Sequence, residues 1–343
     1  MSARAQIVPV FVPHLGCPYA CVYCDQRRIS GQHASVSPQL VERAVQNAAA
    51  LPRTGAERQI AFYGGSFTAI PEREQLALLA PAKAAVDRGV VDSIRLSTRP
   101  DAIDEEVLTR LRAYGVKTIE LGAQSMDDEV LRLSGRGHSS EDVVRASGLI
   151  RDAGFQLVLQ MMTGLPGDTD ERDLETARAI VRIRPDAVRI YPTVVVRGTG
   201  LYRMWRAGLY REHTVEDAVR VCARILPLFR EAGIPAIRLG LDSTEELSGG
   251  EAVAGAYHPA LGELVRSRIM RERARDLLAG VTPGSDVVLG IHRSRLSQMI
   301  GQKRANVGAL CRDLDLRSLR VVPLDGEQDE IRILYCKGPI PSD

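Results

Sequence analysis

The sequence predicts an α/β chain: a partial (β/α) barrel of six or seven units, followed by a small α/β C-terminal domain. Over the first 240 residues, short β-branched runs that end in Gly, Ser or Pro alternate with amphipathic helical stretches, a pattern that implies a parallel sheet with right-handed crossovers. Polar or glycine-rich segments follow nearly every run, and in such folds the chemistry sits at the C-terminal ends of the strands. After about Leu241 the repeat stops.

The runs, in order, are Ile7 to Val12, Gln59 to Tyr63, Ser93 to Ser97, Thr118 to Gly122, Gln156 to Met162, Ala187 to Tyr191 and Ile234 to Leu239. Between them SPQLVERAVQNAAAL, IDEEVLTRLRAYG and EDVVRASGLIRDAG have helical period, and two of these close on Gly, as a helix C-terminus favours. The strand ends carry HLGCPYACVYC, GGSFT, STRPD, AQS, TGLPGDT and PTVVVRGTG. Residues 1–240 are therefore assigned to the barrel. Residues 241–280, containing STEELSGGEAVAGAYHP, read as a glycine-rich connector, and residues 281–343 as a small basic α/β domain.

With 343 residues, 45% of them hydrophobic, the chain can bury a large core. Its 45 Lys+Arg nearly balance 43 Asp+Glu, so bulk charge excludes a polyanion binder and any nucleic-acid surface must be local. No apolar run approaches the roughly 20 residues needed to cross a bilayer, and the N-terminus lacks a basic region followed by an apolar stretch. A cytoplasmic protein with no membrane partner is expected.

Three of the six cysteines, Cys17, Cys21 and Cys24, fall within eight residues. Thiolates spaced x3 then x2 can wrap one iron–sulfur cube and leave its fourth iron without a protein ligand. A structural zinc site completed by His14 is the bland alternative, but that spacing is unusual for zinc ribbons and no second CxxC follows. A redox pair of Cys21 and Cys24 leaves Cys17 unexplained. The scattered Cys222, Cys311 and Cys336 read as small core residues.

CPYACVYC, with Tyr23 before its last cysteine, resembles the cluster motif of the radical S-adenosylmethionine (SAM) superfamily. GGSFT resembles the motif that receives the SAM amino group, and ELGAQS with GRGH resembles a region of oxygen-independent coproporphyrinogen III oxidases. TRPD, ELGAQS, GLPG and IYPT with RGTGLY are similar to motifs in the radical SAM domain of the Elongator catalytic subunit. The resemblance covers residues 7 to about 240. It implies a 4Fe-4S cluster on Cys17, Cys21 and Cys24, with SAM bound by Tyr23, Gly64, Gly65, Ser66, Ser97, Gln124, Arg136 and Gln160. Glycines let backbone approach the SAM ammonium, the Arg136 fork suits its carboxylate, and Ser97 stands where the family often has an acidic ribose ligand.

The reaction so implied is reductive cleavage of SAM to methionine and a 5′-deoxyadenosyl radical, fed by an electron donor such as flavodoxin or ferredoxin and directed at a tRNA base. A radical SAM enzyme acting on a small molecule or a tetrapyrrole is the alternative, and a non-enzymatic metal protein that binds RNA is a third. The roughly 100 residues after the barrel lack a glycine-rich pyrophosphate loop of the acetyltransferase kind, so the carbon donor is expected to differ from Elongator's.

The β-α-loop-α-β-β order of residues 286–334 resembles the K-homology (KH) fold, in which a GxxG loop clamps single-stranded nucleotides. Gly301-Gln302-Lys303-Arg304 occupies the loop, with Arg304 in place of the second glycine. Seven Lys/Arg against three Asp between Asp286 and Arg320 make this segment basic, and Lys303 and Arg304 are the candidate RNA contacts.

Overall fold

The computed structural model describes residues 5–31, 36–53, 55–242 and 244–338. The chain divides into two compact units, residues 1–218 with 225–259, and residues 219–224 with 260–343.

The first unit contains β1 (Gln6–Phe11), β2 (Arg58–Tyr63), β3 (Ser93–Thr98), β4 (Val116–Gln124), β5 (Gln156–Thr163), β6 (Ala187–Pro192), β7 (Val194–Val196), β8 (Ala236–Leu239) and β9 (Ala252–Gly255). Seven of these form one parallel sheet in the order β1-β2-β3-β4-β5-β6-β8, curled into a half-barrel whose edges are β1 and β8. The connections carry α1 (Gln26–Ser30), α2 (Pro38–Ala50), α3 (Glu72–Asp87), α4 (Glu105–Ala113), α5 (Asp128–Leu133), α6 (Ser140–Asp152), α7 (Asp170–Ile183), α8 (Gly200–Arg206) and α9 (Val215–Glu231).

Local sequence explains where these helices start. Asp104 and Thr169 cap α4 and α7 through their side-chain oxygens, and Ser139 with Asp142 and Thr214 with Asp217 close capping boxes on α6 and α9. These helices then bury one stripe whose residues recur at three- or four-residue steps: Val107, Leu108 and Leu111 on α4, Val143, Ala146 and Ile150 on α6, Leu174, Ala177 and Ile180 on α7. The sheet answers with Ile60, Phe62, Ile94, Leu96, Ile119, Leu121, Leu157 and Leu159, all fully buried. Because side chains alternate along a strand, Gln59, Arg95, Glu120, Gln160 and Arg189 point the other way, into the concave face.

The second unit contains α10 (Leu261–Leu277), β10 (Asp286–His292), α11 (Leu296–Ile300), α12 (Ala305–Asp313), β11 (Ser318–Leu324) and β12 (Ile331–Lys337). Its sheet order is β11-β10-β12, with β10 parallel to β11 and antiparallel to β12. Met270 and Ala274 of α10, Val287, Leu289 and Ile291 of β10, and Val307 and Leu310 of α12 form its core.

The stretch 241–280 is not the bare connector that its composition implies. Its Ala-Val-Ala-Gly run is β9, paired antiparallel with β7, and α10 fills seventeen of its residues. Five arginines mask the helical period of α10, and β7 is too short to stand out from PTVVVRGTG.

Candidate functional site

The cysteines lie on the loop between β1 and α1, which is held by backbone from the turn after β2, the end of α5 and the start of α8. His14 N–H donates to Gly64 O at 2.9 Å, Ser66 N–H to Leu15 O at 3.0 Å, Val22 N–H to Ser134 O at 3.1 Å and Leu201 N–H to Val22 O at 2.6 Å. The crossings are tight enough to exclude side chains. A Cβ on Gly65 would stand 2.5 Å from the carbonyls of Val12 and Leu15, and one on Gly137 would stand 2.5 Å from the Tyr19 ring. Gly65 is thus required by the cysteine loop itself, whatever ligand also approaches. Arg99, only 2% exposed, lies 4.7 Å from the centroid of the Tyr19 ring, pairs with Asp101, and donates from Nη2 to Arg136 O at 2.6 Å.

Each thiol has one polar side chain within reach: Cys17 Sγ is 3.5 Å from Ser66 Oγ, Arg136 Nη1 donates to Cys21 Sγ at 3.4 Å, and Gln26 Nε2 donates to Cys24 Sγ at 3.3 Å. Burial, with Cys21 alongside, pushes the Cys24 thiol up to about 12, so its thiolate forms when a metal displaces the proton. His14 does not complete a zinc site: its Nε2 accepts the Gln26 N–H at 2.9 Å, and among the described residues no three His, Cys, Asp or Glu close around one ion. Thiols that each serve a different iron of a cube need no such convergence. No disulfide joins the six cysteines; Cys222 is buried, but Cys336 is exposed on β12 rather than packed in a core.

The candidate SAM residues flank this loop at the strand ends. Gly64 has φ +90°, and Ser66 is buried beside Cys17. The Ser97 hydroxyl is buried without a hydrogen-bond partner. Gln124 ends β4 at φ 66° with its side chain buried. Arg136 is not the solvated surface residue its type suggests: 8% exposed, it donates from Nη2 to Gly122 O at 2.8 Å and keeps a buried Nε unpartnered. His138 holds the Ala123 carbonyl at 3.2 Å, and burial, then the neighbouring Arg136 charge, lower it to about 4. The Tyr23 side chain enters an apolar cluster with Val130, Leu165, Val195, Leu201 and Tyr210.

Gln160 points into the concave face and donates to Glu120 Oε2 at 2.9 Å. Fully buried Glu120 also receives Tyr63 Oη at 3.1 Å, Arg95 Nη1 at 2.7 Å and Arg189 Nη2 at 2.9 Å. Burial alone would raise its pKa, but Arg189 and Arg95 outweigh burial and hold the carboxyl below the usual range. Apart from Gln160, and Glu120 at the head of ELGAQS, this network belongs to none of the motifs, although its signal is present as a charged residue inside each of the runs SIRLST, TIELG and AVRIY.

In the second unit, Lys303 and Arg304 are exposed, and both adopt left-handed backbone, at φ 49° and 62°. Asn306 anchors the turn, its Nδ2 donating to Ser267 O at 2.9 Å and Gln298 O at 3.0 Å. The segment is less basic than its count of charges suggests. Arg293, Arg295 and Arg317 pair with Asp325, Asp329 and Asp286, two of which lie beyond the counted window.

The family model described as the radical SAM superfamily matches residues 11–180, and the radical SAM C-terminal domain matches 185–271. The chain belongs to the radical SAM superfamily. Over 138 residues it is 39% identical to human Elongator complex protein 3, covering 39% of this chain and 25% of that one. Over 176 residues it is 35% identical to the tRNA uridine(34) acetyltransferase of Methanocaldococcus infernus, covering 50% and 33%. The chain thus spans a quarter to a third of these relatives' length. The solved structure of archaeal Methanocaldococcus infernus Elp3 aligns with a TM-score of 0.61 at 22% identity, over 80% of this chain and 64% of that one, which shows the shared fold.

Radical SAM enzymes use a 4Fe-4S cluster and SAM and need a reductant. The residues here fit that pair: three thiols on one loop, each beside a hydrogen-bonding side chain, and buried polar groups with unused capacity at Ser97 and Arg136. Among the described residues no helix is long and apolar enough to cross a membrane.

Replacing Cys17, Cys21 or Cys24 by Ala should each abolish iron binding, whereas Cys222→Ala, Cys311→Ala and Cys336→Ala should retain it. Full iron content in Cys21→Ala would refute the ligand set. His138, ordinarily near 6.5 and about 4 when folded, resists a proton that the unfolded chain accepts. Its stabilisation is therefore complete above pH 6.5 and declines as pH falls toward 4, by up to about 1.4 kcal/mol per unit. Urea midpoints at pH 7 and 5 should differ less in His138→Gln than in wild type; equal differences would exclude His138 as the titrating group.

Proposed function

We propose that this chain uses radical SAM chemistry to modify a tRNA base. The observation that carries the reading is its 35% identity, over 176 residues, to a protein named for acetylating tRNA uridine 34. When bound, the cluster and SAM supply a one-electron cleavage of a carbon–sulfur bond.

The chain's own residues bind and orient. Cys17, Cys21 and Cys24 hold the cluster. The Arg136 guanidinium takes the SAM carboxylate, with Gln124 beside it, while the turn at Gly64 and Gly65 and the Ser66 hydroxyl meet the ammonium. Ser97, buried and unpartnered, has one hydroxyl to offer the ribose. Gln160 spends its amide N–H groups toward Glu120, which leaves its carbonyl oxygen as the atom for adenosine, and Tyr23 supports the site by packing beneath it. The thiols need a reducing compartment, so we place the protein in the cytoplasm with flavodoxin or ferredoxin as electron donor.

For the RNA, the second unit offers the Gly301–Arg304 turn. Two successive non-glycine residues in left-handed backbone cost on the order of 1–3 kcal/mol each, and here the Arg304 N–H closes the turn on Gly301 O at 3.1 Å. Lys303 and Arg304 project from this turn with no ion pair to the described residues, as phosphate contacts require. The order β10, α11, turn, α12, β11, β12 supports a KH-like reading of residues 281–343.

Arg136→Ala should keep its iron and weaken SAM binding by about 1.5–3 kcal/mol, the range for a hydrogen bond to a charged group. Calorimetric titration of the reconstituted protein decides this, and an unchanged Kd removes Arg136 from the SAM site. In filter binding of total tRNA, the double variant Lys303→Ala, Arg304→Ala should bind more weakly, with a salt slope reduced by up to roughly two units. Superimposable curves would exclude the turn as an RNA contact.

A further inference from the structure

We propose that Gln26 is a positioning residue of the metal centre: its side-chain amide donates an N–H···S hydrogen bond to the Cys24 sulfur and thereby raises the cluster's reduction potential. The inference rests on the assignment of the cluster to Cys17, Cys21 and Cys24.

Of the three side chains that reach the thiols, Ser66 and Arg136 also belong to the SAM contacts, whereas Gln26 lies outside every motif that implies the cofactors. Its Nε2 is 3.3 Å from Cys24 Sγ, within range for a donor to sulfur. The residue is fixed on both sides of this contact. Its N–H is spent on His14 Nε2 at 2.9 Å, and its carbonyl accepts the Ser30 hydroxyl at 2.6 Å, so the first turn of α1 sets where the side chain begins. At the far end a methyl group on Gly64 would stand 3.4 Å from Gln26 Oε1, so the amide spans the gap between the sulfur and the glycine turn. A thiolate only accepts hydrogen bonds, which requires the amide to turn its nitrogen toward Cys24.

The surroundings of that sulfur make the bond count. Cys24 is partly buried and packs against the apolar cluster of Tyr23, Val130, Leu165, Val195, Leu201 and Tyr210, where an N–H dipole is screened less than in open water. Reduction adds one electron, from an external low-potential reductant, to the irons and their sulfur ligands. The N–H dipole stabilises the more negative reduced form more than the oxidised one, so the bond favours acceptance of the electron.

Gln26→Met keeps the length of the side chain and removes the donor. After anaerobic reconstitution, iron and sulfide content are measured and the cluster is titrated with dithionite and redox mediators while its reduced signal is followed by electron paramagnetic resonance. We expect wild-type iron content with a midpoint moved to more negative potential, such that the reduced-to-oxidised ratio at a fixed poise falls about tenfold, equivalent to 59 mV for a one-electron couple. A midpoint equal to wild type overturns the proposal. If the methionine variant holds no iron, Gln26→Glu keeps length and polarity but cannot donate once ionised. It too must lower the midpoint, and a wild-type value in that variant overturns the proposal equally. A wild-type protein that assembles no cluster defeats the cluster assignment and the role of Gln26 together.

Discussion

The candidate site depends on how closely one loop passes other backbone. The segment that carries the three thiols lies against the strand-two turn on one side and the segment after β4 on the other, and at both crossings a β-carbon has no room. Gly65 and Gly137 are the conditions under which the loop can take its path. Once it does, backbone hydrogen bonds with Gly64, Ser66, Ser134 and Leu201 hold it against the turn after β2, the end of α5 and the start of α8. The thiols, Arg136 and Ser66 meet because their backbones are locked together, and their own mutual attraction is weak by comparison.

A second constraint acts inside the curve of the sheet. A parallel half-barrel whose outer face is covered by helices must put something on its concave face, and here part of that face is charged. Glu120 has no exposed surface, which would be costly were its oxygens not shared among Arg95, Arg189, Gln160 and Tyr63. Such a network is poor evidence of added stability, since apolar residues of similar volume often serve as well, but removal of any one member strands the others. Its effect is to hold five long side chains in one arrangement, so that this part of the concave face has a fixed pattern of donors.

The inner strands were legible because a strand buried on both faces is written as a compact apolar run; Gln59 to Tyr63 and Ser93 to Ser97 fall within a residue of β2 and β3. The short β7 and β9 and the arginine-rich α10 were not, because their partners rather than their composition make them regular. At the site, the cysteines announced themselves by spacing. Gln26 did not, and Arg99 stood inside TRPD without a role, since what matters about them is which atom they touch: a thiol at the first turn of α1, and a carbonyl 37 residues on. The basic count in the second unit misled for the same reason, as Arg293 and Arg295 find their acids beyond Arg320.

Arg99 touches the cysteine loop through the Tyr19 ring and touches the next functional segment through the carbonyl of Arg136. One rigid guanidinium therefore sits in two bodies of contact at once, with almost no freedom to satisfy one and abandon the other. Order in the loop and order around Arg136 are then linked through a single side chain. Tyr19, Arg99 and Gly137 thus fasten the cysteine loop to the segment that carries Arg136, although none of the three carries a thiol.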